Sequence, residues 1–239
     1  MNNLKSKIKI ADIYTIFMLT FYSVLAVIFS SQLEGFSGIM ILNITLISIV
    51  FATAFIEIKF GYSKSYMLFR TLYIIPIVFV IYSQVQEYIP FLNAGLYDFI
   101  LADWDRVIFG LNPTEWIYKF HNPFLTEYLQ FSYMTYYLIP IVFGVELQLR
   151  NDKSEFDYMI RNVIFAFYLS YLAYFFMPAI GPRFILHDFM NLSNELPGVW
   201  LAEFFRYIVN SGGGIPTGAF NPAEMVNRDC MPSGHTWIT

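Results

Sequence analysis

The sequence predicts an all-α protein: a polytopic transmembrane helix bundle with five complete spans and the start of a sixth. Hydrophobic residues make up 57% of the 239 residues, and Asp, Glu, Lys and Arg make up only 13%. Soluble globular domains use roughly 25% charged residues. Apolar stretches long enough to cross a bilayer core, which takes about 20 residues, occur five times. We therefore expect residues 1–239 to form a single membrane domain.

Each predicted span is justified by its length and its lack of charge. Four of the five contain no Asp, Glu, Lys or Arg, and the third contains only Arg70, whose long side chain we expect to reach the interface. Pro76 and Pro140 lie inside spans, where a helix bundle tolerates them. The predicted spans are residues 13–31, 39–56, 67–86, 128–145 and 162–180, and the incomplete sixth covers residues 232–239.

The charges of the short connections predict the orientation of the chain. Nine of the 14 Lys and Arg residues lie at the N-terminus, between the second and third spans, or between the fourth and fifth. Connections rich in Lys and Arg stay on the cytoplasmic side. We therefore predict a cytoplasmic N-terminus in a plasma (inner) membrane. Lys5, Lys7 and Lys9 would also suit a signal peptide, but the apolar run that follows is longer than a typical signal core.

Two long connections are then predicted on the outer face. The first, residues 88–127, alternates apolar and acidic residues and contains Trp104 and Trp116, which suit the headgroup zone. We expect one or two interfacial helices there, broken at residues 110–113, with Asn112 or Thr114 as a cap. The second connection, residues 181–231, is predicted to be the active-site loop.

Candidate chemical groups gather at the two ends of this second connection. Arg183 follows the fifth span, and Pro232-Ser233-Gly234-His235 opens the sixth. A guanidinium fork suits a tetrahedral oxyanion. A helix start offers unpaired backbone N–H groups to an anion, glycine permits close approach, and histidine can donate a proton. Arg183, Ser233, Gly234 and His235 therefore predict a phosphate pocket, with Arg228 as a possible second contact.

Other polar residues are interpreted as structural. His187, next to Asp188, is read as a loop residue, and His121 as a turn residue. The glycine-rich run at residues 211–214 lacks the Gly-Lys-Ser/Thr of a nucleotide-binding loop and is read as a flexible tip. The tyrosines of the fourth span, including Tyr133, are read as packing residues.

The two motifs carry a family resemblance. Pro232-Ser233-Gly234-His235 resembles the second motif of the type 2 phosphatidic acid phosphatase (PAP2) superfamily. Residues 181–183, Gly-Pro-Arg, and residues 105–113, Asp-Arg-Val-Ile-Phe-Gly-Leu-Asn-Pro, resemble its branch related to inositol phosphorylceramide synthases and inositolphosphotransferases. The resemblance covers roughly residues 88–239. It departs from the pattern at Phe176, where the best-known first motif has lysine, and at Pro182, because proline precedes the arginine here.

The resemblance implies a lipid-phosphate phosphatase that acts through a phosphohistidine. Arg183 and the Ser233–Gly234 backbone would hold the phosphoryl group, and His235 would protonate the leaving alcohol. No metal or cofactor is implied. The nucleophilic histidine and its aspartate are expected beyond residue 239, so we expect this chain to show little or no turnover.

Three functions remain open at this stage. Water could accept the phosphoryl group, as in a phosphatase, or an alcohol such as inositol could, as in a lipid phosphoryl or head-group transferase. A non-catalytic membrane protein that binds lipid phosphate is the third. The expected partners are a lipid phosphate and membrane lipids. A net charge of −4 gives no basic face for nucleic acid. The sequence does not indicate an oligomeric state.

Overall fold

The computed structural model describes residues 7–60 and 64–238, and this part of the chain is helical without strands. Predictions that involve Lys5 and Thr239 concern positions outside these ranges. Three helical stretches of the described ranges are long and apolar enough to cross a membrane: Ile10–Ile28, Phe36–Phe60, and Leu68–Leu92, which contains a turn at Tyr73. The count of five complete spans therefore stays a prediction.

The helices are numbered in chain order. They are α1 Ile10–Ile28, α2 Phe36–Phe60, α3 Lys64–Leu72, α4 Ile74–Leu92, α5 Asp98–Phe109, α6 Pro113–Tyr118, α7 Pro123–Leu149, α8 Lys153–Ala173, α9 Leu192–Glu195, α10 Ala202–Gly212, α11 Pro222–Met225 and α12 Gly234–Ile238. Two short 3-10 turns, Pro182–Phe184 and Phe189–Asn191, lie between α8 and α9. The chain, predicted as one domain, forms two compact units, which are described separately.

The first unit contains α1 to α4 and residues Gly144–Leu172. Its core includes a reciprocal amide pair between α2 and α4. Asn43 donates to Gln84 at 3.1 Å, and Gln84 donates back to Asn43 at 2.7 Å. Because an unpaired amide inside a bilayer is costly, this pair favours one register between the two helices.

Arg70 also lies in the first unit, and its position corrects the expectation that it reaches the interface. Its side chain is 1% exposed. The guanidinium donates to both carboxylate oxygens of Asp12, at 2.9 and 2.5 Å, and a third contact at 3.5 Å joins it to Glu57. Asp12 on α1 neutralises Arg70 inside the unit. Because Asp12 lies 58 residues from Arg70, the sequence alone did not identify it as the partner.

The second unit consists of residues 93–143 and 173–237. At its start, the predicted span 162–180 needs correction, because α8 begins at Lys153 and ends at Ala173. Asn93 donates to the carbonyls of Phe175 and Phe176, at 3.2 and 3.1 Å, and so caps the chain just after the helix. Pro178 follows, and the residues up to 181 have no helical hydrogen bonds. The segment before Arg183 is therefore a loop that is held by hydrogen bonds from Asn93.

The first long connection contains two helices, α5 and α6, with the break at Gly110–Asn112. Gly110 ends α5 in the left-handed conformation, with φ +70°, which glycine adopts readily. Asn112 caps α6 by accepting from the backbone N–H of Thr114 at 3.2 Å. Several large apolar side chains of this region are exposed, namely Phe99, Trp104, Val107, Ile108, Phe109 and Trp116.

The second long connection is more ordered than the sequence predicted, because it contains the 11-residue helix α10. Glu127, at the start of α7, accepts from four consecutive backbone N–H groups at the beginning of α10. The distances are 2.9 Å from Val199, 3.2 Å from Trp200, 2.6 Å from Leu201 and 3.2 Å from Ala202. A carboxylate at a helix N-terminus also has favourable dipole interactions. Glu127 thus fixes α10 to α7.

Candidate functional site

The two motifs predicted to form a site are adjacent in the second unit. The backbone N–H of Cys230, two residues before Pro232, donates to the carbonyl of Ala179 at 3.0 Å. Ala179 lies four residues before Arg183. This direct backbone contact joins segments that are about fifty residues apart in sequence, so the loop between them closes.

Asp98, the first residue of α5, organises the Gly-Pro-Arg segment. Its carboxylate accepts from the backbone N–H of Ile180, at 3.0 and 3.1 Å, and from that of Gly181 at 2.7 Å. Asp98 is 4% exposed. Gly181 has φ +99° and ψ 156°, a conformation that is essentially restricted to glycine. A Cβ there would also lie 3.1 Å from the Sγ of Cys230.

Arg183 is half-buried with its guanidinium against aromatic rings. Its Cζ lies 4.8 Å from the ring centre of Phe184 and 5.3 Å from that of Phe189. Its Nη1 donates to the Oδ1 of Asn210, on α10, at 2.9 Å. In the described part of the chain this is its one hydrogen bond, so the other N–H donors remain for an anion.

The charge of Arg183 is retained although the site is partly desolvated. Burial lowers the pKa of Arg183, and the nearby Tyr133, Cys230 and Asp229 act in the opposite direction. A guanidinium stays protonated at any physiological pH despite such a shift. Partial desolvation strengthens its attraction for an anion, because the local dielectric is lower than in water.

His235, the second residue of α12, is held by two tyrosines of α7. Its Nε2 lies 2.7 Å from the phenol oxygen of Tyr133, and its ring centre lies 4.3 Å from that of Tyr136. Asp229 and Tyr133 act electrostatically on Arg183, and Asp229 also acts on His235. The histidine and the arginine therefore share a polar neighbourhood.

The remaining predicted site residues flank this neighbourhood. Ser233 directly precedes α12, and its carbonyl accepts from the backbone N–H of Thr236 at 3.2 Å, while Gly234 is the first residue of the helix. Arg228 donates from Nη1 to the carbonyl of Ala94 at 3.3 Å. Its contact with a phosphate stays a prediction.

Cys230 is an unsuitable nucleophile in this setting. The residue is exposed, but its Sγ lies next to Gly181. Desolvation, and then the charges of Asp98 and Asp229, raise the pKa of its thiol to about 11. Since the thiolate is the reactive form, the thiol is inert near neutral pH.

The glycine-rich run at residues 211–214 corrects another interpretation. Ser211 and Gly212 are the last residues of α10, and Gly213 accepts from the backbone N–H of Asn227 at 2.9 Å. A Cβ on Gly213 would lie 3.7 Å from the Nη2 of Arg183. Gly213 therefore lies next to the arginine, and the run is held by backbone hydrogen bonds and is not a loose tip.

An apolar groove between α7 and α10 adjoins the same elements. It has a volume of about 350 Å³, within the range of small-molecule sites. A second groove of about 330 Å³ shares Phe131 with it. The lining residues of the first are Phe131, Met134, Thr135, Leu138, Phe205 and Ile208. The two helices that line this groove also carry Tyr133 and Asn210.

Sequence reasoning missed three residues of this site. Asp98 was read as part of an interfacial pattern, Tyr133 as packing, and Asn210 was not singled out. Their side chains act through contacts across 82, 102 and 27 residues of sequence. Asp98 precedes the family-like stretch at residues 105–113, so no motif marked it, and its role is visible only from the backbone N–H groups that it accepts from.

Three helices apolar enough to cross a membrane, with the Arg183 and His235 segments lying together, are the features expected of a membrane-associated protein that handles phosphate. Comparison with known families supports this, because residues 100–239 match the PAP2 superfamily. The match covers more than half of the chain, and the protein belongs to the PAP2 superfamily. Members are phosphoesterases or phosphotransferases, which indicates phosphatase-type activity. No curated protein and no solved structure gave a significant match.

Proposed function

We propose that the protein is a lipid-phosphate phosphatase of the PAP2 type, whose reaction passes through a phosphohistidine. Arg183 and the backbone at Ser233–Gly234 bind the phosphoryl group, and His235 protonates the leaving oxygen. The attacking histidine is proposed to lie beyond residue 239. The observation that carries this proposal is the hydrogen bond from the backbone N–H of Cys230 to the carbonyl of Ala179, because it joins the segments that contain Arg183 and His235.

The lipid character of the substrate is supported by the apolar groove. Arg183 donates to Asn210 on α10, and the same helix lines the groove through Phe205 and Ile208, so we propose that phosphate and hydrocarbon both bind against α10. For a short-chain lipid phosphate that binds from water, burial of hydrocarbon there contributes about 0.8 kcal/mol per CH₂ group. A soluble phosphate ester would lack this term, so lipid phosphates should bind more tightly.

The transferase alternative uses the same residues. The resemblance of residues 105–113 and 181–183 to the inositolphosphotransferase-related branch favours it as the second candidate. Incubation of the full-length protein with a lipid phosphate and inositol, followed by mass spectrometry, separates the two. A new phosphoinositol product supports transfer, and free phosphate alone supports hydrolysis.

The membrane arrangement is part of the proposal. Five complete spans and a sixth that begins near Pro232 would place residues 88–127 and 181–231 on the outer face of the plasma membrane, with a cytoplasmic N-terminus. Support comes from the three apolar helices and from the Lys and Arg distribution. Reporter fusions after Ser31 and after Lys153 should report opposite faces, and the same face in both would contradict it.

The binding site is tested with dioctanoyl phosphatidate and glycerol 3-phosphate on the purified chain in nanodiscs. Charge-assisted hydrogen bonds contribute about 1.5–3 kcal/mol each, so Arg183→Ala should weaken phosphatidate binding by roughly 10- to 150-fold. Arg106→Ala, at an exposed arginine paired with Asp103, is the matched control and should bind normally. Equal affinity of the Arg183→Ala and native chains would contradict the pocket.

The place of the nucleophile has its own test. If the attacking histidine lies beyond residue 239, the 239-residue chain should bind phosphatidate without hydrolysing it. Hydrolysis by this chain that disappears in His235→Ala would contradict that placement while leaving the binding site intact.

A further inference from the structure

We infer that Tyr133 is a positioning residue for His235: its phenol holds Nε2 and fixes which ring nitrogen carries the proton. The contact is 2.7 Å long, the usual distance for a strong hydrogen bond that involves a hydroxyl. Tyr133 belongs to α7, and His235 belongs to α12. The catalytic role of this contact rests on the proposed function, whereas the contact itself does not.

The chemistry of the two partners decides the direction of the hydrogen bond. A neutral imidazole has one N–H donor and one nitrogen acceptor. A phenol is a better proton donor than a neutral imidazole N–H, and an imidazole nitrogen is a better acceptor than a phenol oxygen. Tyr133 therefore donates to Nε2, and the proton of neutral His235 resides on Nδ1. A hydrogen bond at one nitrogen in this way selects the tautomer at the other.

The surroundings of Tyr133 reinforce its role as a donor. Tyr133 interacts electrostatically with Arg183, and a nearby positive charge makes a phenol a stronger hydrogen-bond donor. The ring of His235 also contacts Tyr136, one helical turn further along α7. The ring is therefore restrained by two residues of one helix. An orientation fixed before substrate binds lowers the entropic cost of proton transfer.

Imidazole nitrogen NMR tests the inference directly. The chain contains three histidines, so ¹⁵N-histidine labelling gives a spectrum that His121→Gln and His187→Gln can assign. At a pH where His235 is neutral, its native spectrum should show Nδ1 protonated. Tyr133→Phe should convert it to a mixture of tautomers and leave the His121 and His187 signals unchanged. Tyr128→Phe, at a tyrosine that is 66% exposed on the same helix, should leave His235 unaltered.

Three results would overturn the inference. They are a native His235 protonated at Nε2, a Tyr133→Phe spectrum identical to the native one, and an equal change in Tyr128→Phe. The first needs no substitution of Tyr133, so it decides the matter even if Tyr133→Phe misfolds. Addition of inorganic phosphate tests the proposed function separately. If the His235 signal does not change on addition of phosphate, the proposed phosphate pocket is contradicted, whereas the inference about the tautomer of His235 is unaffected.

Discussion

Removal of the Asp98 carboxylate should weaken both the fold and the phosphate site. Asp98 is buried and accepts from the backbone N–H groups of Ile180 and Gly181, which are buried as well. In Asp98→Ala both donors lose their acceptor. Each unsatisfied buried group costs about 1–3 kcal/mol, so the free energy of unfolding should fall by roughly 2–6 kcal/mol. Asp98→Asn keeps one acceptor oxygen, so its free energy of unfolding should lie between those of the native chain and Asp98→Ala.

The assay combines denaturation of the purified chain in detergent with dioctanoyl phosphatidate binding. Phosphatidate binding should weaken from native to Asp98→Asn to Asp98→Ala, because Asp98 holds Gly181 and Gly181 lies two residues before Arg183. Asp103→Ala, on the same helix at an exposed salt bridge with Arg106, is the control, and its effect should stay below about 1 kcal/mol. If Asp98→Ala matches Asp103→Ala in both measurements, the role assigned to Asp98 is wrong.

Three further predictions concern other contacts. Gly181→Ala should lower the free energy of unfolding by about 1–3 kcal/mol, because the backbone conformation of Gly181 is strained for any residue with a side chain. An unchanged melting temperature would contradict this. Desolvation disfavours the Glu127 carboxylate, but its four backbone hydrogen bonds outweigh this and lower its pKa below the ordinary 4.5. The stabilisation by the Glu127 carboxylate is therefore complete above that ordinary value, and it is lost as the pH falls through the folded-state pKa. The melting temperature of Glu127→Gln should lie below that of the native chain at pH 7, and the two melting temperatures should become equal at acid pH. Arg70→Met should lower the free energy of unfolding by about 3–5 kcal/mol, because it leaves Asp12 buried without its cation; Asp12→Asn combined with Arg70→Met should recover part of the loss in a double-mutant cycle.

Local pattern predicted the parts of the fold that depend on local forces. Long apolar runs predict helices because the bilayer or core demands internal hydrogen bonding, and Ile10–Ile28 and Phe36–Phe60 lie close to the predicted ranges 13–31 and 39–56. The cap at Asn112 was also among the predicted residues, since it depends on a hydrogen bond two residues away. Where short-range chemistry decides, one sequence is sufficient.

Long-range contacts decided the rest. The range 162–180 was predicted from hydropathy alone, but α8 ends at Ala173, and Asn93 and Asp98 hold the loop that follows through hydrogen bonds to its backbone. Arg70 was placed at the interface because its partner Asp12 lies 58 residues away. Hydropathy records the preference of a segment for an apolar phase. It contains no information about which distant side chain neutralises a charge or accepts a backbone proton.

The candidate site shows the same division in a form that matters for function. Arg183 and His235 were found from short motifs, because phosphate chemistry restricts which residues can act. The groups that orient them, Asp98 and Tyr133, occur in stretches that read as interface and packing. Asp98 holds the segment before Arg183 by accepting hydrogen bonds from the backbone N–H groups of Ile180 and Gly181, and Tyr133 holds His235 through a contact of 2.7 Å. Substitution of these two residues therefore tests whether the chain supplies a preorganised phosphate site, independently of how many spans complete the membrane domain.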